Sequence, residues 1–299
     1  MRLLIFAAGW LLLGGPAAEA HGFLVRTHAP AWTFDPWVVV PLQLSLALHA
    51  AGTVELWTRA GIGRGVRVRQ TLLYAAGWLA LAGALVSPLH WLGEQLFTAH
   101  MIEHEIVMAV AAPLLVLARP GGAVIWAFPS GMRRELGQLS RAAPVRAVWA
   151  WITRPLTATV LHGAAIWAWH IPSLFDAAVM DVGLHRLQHL SFFLTAMLFW
   201  WSLLRRANPG TAAGDLFVTM IHTSILGALL TFAPRVLYSV QTAGALRWGL
   251  TPLEDQQLAG LVMWVPASTI YAGAALALTA LWVRRSGAVW KSGDALRAP

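Results

Sequence analysis

Apolar residues in this chain run in long unbroken blocks instead of alternating with polar ones. Seven blocks, approximately 37–57, 71–88, 97–117, 156–170, 186–204, 215–233 and 258–283, come near the ~20 residues a helix needs to cross a bilayer. An earlier apolar run, Leu3 to Leu13, is shorter, follows Arg2 and precedes Ala18-Glu19-Ala20. Positive start, apolar core and small-x-small site together predict a cleaved signal peptide. The pattern therefore predicts an all-α integral membrane protein. It would comprise a signal peptide over 1–20, an external segment over 21–36, a bundle of seven transmembrane helices within 37–285, and a tail over 286–299.

Charge adds an orientation. The stretches 58–70, 118–155, 205–214 and 284–299 carry 4, 6, 2 and 4 Lys and Arg. The alternate connections hold only Arg26, Arg186, Arg235 and Arg247, beside Asp176, Asp181, Glu254 and Asp255. Basic loops stay cytoplasmic, which predicts an outside N-terminus and a cytoplasmic C-terminus. The net charge of +8 is thereby a topology signal, and no nucleic-acid partner is implied. Only 11% of residues are charged, against about a quarter in soluble domains. Seventeen tryptophans suit two membrane–water interfaces. In 118–155, Trp126, Trp149 and Trp151 lie among arginines, which predicts amphipathic segments on the membrane surface.

Candidate chemistry rests on histidine, because the chain has no cysteine and thiolate sites are excluded. Two runs stand out: His100-Met101-Ile102-Glu103-His104 and His185-Arg186-Leu187-Gln188-His189. Positions four apart on a helix lie about 40° apart on one face, so each pair can point at a common ligand. Both pairs open an apolar block on the outer side, and His170 closes another there. Five imidazoles at one depth predict a metal site. Glu103, about 60° around the helix from His100, could ligate, orient an imidazole or move protons. Imidazole suits copper, zinc, iron or nickel, and thioether favours Cu(I), so Met101, Met180 and Met263 tilt the expectation to copper with zinc as the alternative. Asp176, in an outer connection, is a further candidate ligand. Cleavage after Ala20 would leave His21 as the N-terminus, able to chelate through amine and ring, with His28 nearby. His90 reads as an interfacial side chain, and His49, His162 and His222, deeper in their blocks, as hydrogen-bonded packing residues.

Several separated motifs resemble the CtaG-type, polytopic cytochrome c oxidase assembly factors. They are His100-x3-His104 leading into Ala111-Ala-Pro-Leu-Leu-Val-Leu-Ala-Arg-Pro120, and Trp167-x-Trp-His-Ile-Pro-Ser-Leu-Phe-Asp176. With them go His185-x3-His189-Leu-Ser-Phe-Phe, Trp200-Trp201, and Asp255-Gln-Gln-Leu-Ala-Gly-Leu-Val-Met-Trp-Val-Pro266. The resemblance spans about 35–285. It is to these proteins and not to the cysteine-dependent, single-span copper chaperones that share the name. It implies a multi-pass protein of the bacterial cytoplasmic (inner) membrane that serves the respiratory chain as an assembly factor, not an enzyme. Copper would reach a periplasm-facing His cluster from a periplasmic donor. It would then pass by ligand exchange to the catalytic subunit of a haem–copper oxidase. His100, His104, His170, His185 and His189 occupy the family's histidine positions, and Met263 and Trp264 its last-helix motif. Glu103 stands where an amide or apolar residue is expected.

Other functions fit parts of the pattern. His100-x-x-Glu103-His104 also matches inverted zinc peptidases, in which Glu activates water, and seven-span zinc hydrolases use comparable clusters. Gln188, at the matching place in the second run, cannot act as a base. A copper transporter could step through His162, His49 and His222. A haem protein or quinol oxidoreductase with bis-His ligation between helices would show two histidines on one helix spaced for haems stacked across the membrane, and no helix here does.

Overall fold

The computed structural model describes residues 30–295, with side chains through Arg284. The expected signal peptide over 1–20, His21 and His28 lie outside the described residues. Thirteen α-helices follow in order among the described residues: α1 (Pro36–Ala60), α2 (Val68–Leu85), α3 (Pro88–Gly93), α4 (Phe97–Glu105) and α5 (Ala112–Ala118). A π turn, Ile106–Ala111, joins α4 to α5. Then come α6 (Gly121–Trp126), α7 (Ser130–Arg141), α8 (Ala143–Ile152), α9 (Pro155–Trp169) and α10 (Pro172–Met180). The last are α11 (Val182–Arg205), α12 (Pro209–Thr231) and α13 (Pro252–Ala295), with a 3-10 segment, Gln241–Trp248, before α13. No strand occurs among the described residues.

Six stretches are long and apolar enough to cross a membrane: Pro36–Ala60, Val68–Gly93, Phe97–Ala118, Val182–Arg205, Pro209–Thr231 and Pro252–Arg284. The chain is a multi-pass membrane protein. The fourth expected crossing, 156–170, forms α9, whose 15 residues span about 22 Å, short of the ~30 Å hydrocarbon core. Phe97–Ala118 is the central helix: 61% of its most apolar stretch is buried, against at most 39% in the other five. Around it, large apolar side chains such as Leu79, Leu194, Phe217 and Leu229 face outward, as lipid contact demands.

Local chemistry explains several joints. Pro113 has no N–H to return to the carbonyl four residues back, and its ring crowds that turn. The chain widens into the π turn just ahead of it, and the Met108 carbonyl within that turn accepts a hydrogen bond from Trp200 Nε1 at 2.9 Å. Asp35 caps α1 through Trp37 N and also takes two hydrogen bonds from Arg186 at 2.7 and 3.0 Å, tying the start of α1 to the start of α11. Helices α12 and α13 approach closely because Gly227 and Gly260 face each other. A methyl group on Gly260 would lie 2.6 Å from Thr231 N.

Direction matters for the site. Trp169 donates to Ser191 Oγ (2.8 Å), His162 Nδ1 lies 3.2 Å from Thr195 Oγ1, and the Trp149 and Trp201 rings are 5.7 Å apart. Falling residue numbers before and along α9 thus meet rising numbers along α11, so the two run antiparallel. The C-terminus of α9 and the N-terminus of α11 share one end of the bundle.

Candidate metal centre

That end collects the histidines. His100 and His104 lie on α4, His185 and His189 on α11, and His90 on α3. One nitrogen from each of His100, His185 and His189 lies within 4.8 Å of the others. His189 Nε2 is 3.1 Å from His185 Nε2. Two nitrogens bound to one ion at about 2.0 Å lie about 2.8 Å apart at a right angle and about 3.3 Å apart at a tetrahedral one, so this spacing fits a shared cation. The His104 ring is 4.2 Å from that of His100 and 4.9 Å from that of His189, centroid to centroid. His90 joins at 5.8 Å from His185 and 5.9 Å from His189.

A carboxylate organises the group. Glu103 is fully buried; its Oε1 accepts from His90 Nδ1 at 2.8 Å and lies 3.4 Å from His189 Nδ1. Gly93 makes room for it, since a methyl group there would stand 2.8 Å from Glu103 Oε2. His100 Nε2 and both ring nitrogens of His104 are buried with no hydrogen-bond partner among the described residues. Buried imidazole nitrogens without partners are costly unless something binds them, and a soft or borderline divalent or monovalent metal is what such a donor set accepts. His100 and His104 form the floor, each 2% exposed, whereas the side chains of His189 and His90 are 11% and 16% exposed and form the rim.

Long-range hydrogen bonds hold α4 in place. Asp255, at the start of α13, accepts from Phe97 N (2.8 Å), Thr98 N (2.9 Å) and Thr98 Oγ1 (2.7 Å), capping α4 from a distant part of the chain. Gln256 accepts from Leu237 N at 2.6 Å, and Gln241 donates to the Gly93 carbonyl at 2.6 Å. Tyr238 donates to the His170 carbonyl at 2.6 Å. The Asp255-Gln256-Gln257 motif is thus a brace under the cluster.

The remaining expected site residues fall as follows. The His170 ring packs between Phe175 and Phe192, which also flank His100 and His104, respectively. Its Nδ1 donates to the Ile166 carbonyl at 2.6 Å, leaving a buried Nε2 with no partner among the described residues. It lies one ring layer behind the other imidazoles. Met263 and Met101 are buried in the apolar core, packed as hydrocarbon. Asp176 sits on α10 with a buried Oδ1 that has no partner among the described residues; burial raises its carboxyl above the usual range. Burial and, after it, the Asp176 charge push the Tyr238 phenol up. His90 is the member that sequence reading set apart as interfacial. The signal available was its place at the outer end of block two, level with the paired histidines.

These features define a class: a multi-pass helical membrane protein with a buried imidazole cluster at one end of its bundle. The chain belongs to the cytochrome c oxidase caa3 assembly factor family (Caa3_CtaG), which matches residues 47–285. Among similar proteins, Mb0105 of Mycobacterium bovis and MT0111 of Mycobacterium tuberculosis are each 26% identical over 281 residues, covering 88% of this chain and 41% of their own length. ML1998 of Mycobacterium leprae is 24% identical over 268 residues, covering 85% and 40%. The chain therefore spans about two-fifths of the length of these relatives. No solved structure matches it.

Proposed function

We propose that this chain handles copper during cytochrome c oxidase assembly, holding the ion at the His cluster and passing it to the oxidase catalytic subunit. The observation that carries the reading is the convergence of His100, His185 and His189 nitrogens within 4.8 Å, beside the unpartnered nitrogens of His104. Family membership supplies the client process. The positive-inside pattern favours a periplasmic cluster in the bacterial inner membrane, within reach of a periplasmic copper donor.

In this reading the ion is cargo. It meets the partly exposed His90, His185 and His189 first and can settle against buried His100 and His104. Glu103 fixes the tautomer of His90 by accepting a hydrogen bond from its Nδ1–H, which leaves the Nε2 lone pair free to ligate. Release needs no catalysis: stepwise exchange of imidazoles from the rim to histidines of a docked oxidase subunit moves the ion without change of oxidation state.

The test is metal content by mass spectrometry on protein purified in mild detergent, for wild type and for a variant with His100, His104, His185 and His189 all changed to Ala. Copper in the wild type and its loss in the variant is the expected result. Copper retained at equal stoichiometry by the variant overturns the site. Zinc in place of copper, with hydrolysis that depends on Glu103, turns the reading into a zinc hydrolase.

A further inference from the structure

The opposite end of the same helices carries a second, differently charged feature. On α11, His185 and Arg205 are 20 positions apart, which is about 30 Å along the helix axis. Arg205 and Arg119 line a groove of about 320 Å³ beside Trp201. Arg119 is itself the left-handed residue that ends α5, with φ 56°, a costly geometry outside glycine. A neighbouring groove of about 860 Å³ is lined by Arg146, Arg206 and Trp149, and the contact of the Trp149 and Trp201 rings links the two. Apart from Ser140, the remaining lining is alanine, valine and glycine, and neither groove has an acidic side chain in its wall.

Four guanidinium groups thus gather around apolar walls, and among the described residues no carboxylate lines either groove. Arg205 Nη2 donates to the Val116 carbonyl at 3.1 Å, while its Nε is buried with no partner among the described residues. A buried guanidinium N–H without an acceptor calls for an anion, and planar guanidinium groups match phosphate oxygens. The segment that forms one wall, α7 with α8, has no buried residue, and it exposes Leu139, Val148 and Trp151 among its arginines. Such a segment is built to lie on lipid.

We propose that these linked grooves form a binding site for an anionic phospholipid, with the headgroup phosphate on the arginines and the acyl chains along the alanine and valine wall. Trp149 and Trp201 sit where an indole would meet the glycerol level of that lipid. The site lies at the far end of the bundle from the histidines and is independent of metal binding. The lipid would add to the Trp149–Trp201 contact in anchoring the α7–α8 segment, which buries no residue, to the bundle.

The experiment offers full-length protein in mild detergent an equimolar mixture of phosphatidylglycerol and phosphatidylcholine, and counts bound lipid by native mass spectrometry. Wild type is compared with Arg119→Gln/Arg205→Gln and with Arg146→Gln/Arg206→Gln. Wild type should retain phosphatidylglycerol over phosphatidylcholine, and each double variant should lower that retention by about tenfold or more. Helical circular dichroism and metal content at the distant His cluster should stay unchanged, which separates lipid loss from misfolding. Equal retention of the two lipids, or unchanged phosphatidylglycerol retention in both variants, overturns the proposal. Displacement of the lipid by an equal concentration of glycerophosphate, which lacks acyl chains, would show a bare anion site and also overturn it.

Discussion

A buried carboxylate next to imidazoles is expensive unless its charge has a use, and Glu103 shows one. Its Oε1 faces two histidines, His90 and His189, and Gly93 supplies the space for its other oxygen. Glu103→Gln keeps an acceptor for His90 Nδ1 but removes the negative charge beside the imidazoles. Outer-shell losses of this kind cost 10–100-fold in metal affinity, so the variant should bind metal about tenfold or more weakly while still folding. Competition against a chelator of known affinity reads this directly, and wild-type affinity would reduce Glu103 to a packing group. The two histidine pairs were legible in the sequence because four-residue spacing fixes a common face before any tertiary contact forms. His90 was not, because it acts on Glu103 across the break between α3 and α4, and no periodicity crosses a break. Met263 shows the converse: a thioether that ligates and one that fills a core are the same residue in a sequence.

At the scale of elements, the site depends on where α4 begins. Its first amides have no partners within the helix, and Asp255 from α13 takes two of them along with the Thr98 hydroxyl. Asp255→Ala leaves these donors buried or poorly solvated, and charge-assisted bonds of this kind place the loss at about 3 kcal/mol. The variant should melt earlier in detergent and should also lose metal occupancy, since His100 lies one turn from the cap. An unchanged melting temperature would show that α4 is held by packing alone. The apolar blocks announced the long helices, because composition over some twenty residues outweighs local detail. The brace did not announce itself. Asp255-Gln256-Gln257 stood out as a motif, but its work lies in contacts more than 150 positions away for Asp255 and about twenty for Gln256. The π turn after His104 was equally silent apart from Pro113.

For the molecule as a whole, one contact constrains the path of the chain. The His100 and His185 rings, 5.5 Å apart, stand near the N-termini of two helices that therefore run in the same direction. Between Ala118 and Val182 the chain must return to the histidine end, and α9 makes that return against α11. If this stretch crosses the membrane, despite its length of only about 22 Å, the loops on either side of it face opposite compartments. Local thinning of the bilayer or help from the adjoining α8 can cover the shortfall at modest cost. The absence of cysteine makes the test clean, because a single introduced thiol is the only one present. Gly137 on α7 is half-buried but has open space around an added side chain, and Leu246 in the 3-10 segment is exposed; Gly137→Cys and Leu246→Cys report on the arginine and histidine ends, respectively. In intact cells, a membrane-impermeant maleimide should label Leu246→Cys and spare Gly137→Cys, which should react only after the membrane is opened. Labelling of both from outside would place α7 and the histidine end in one compartment. A crossing by α9 and the positive-inside reading of 118–155 would then fall together, although the His cluster, fixed by contacts within the bundle, would remain.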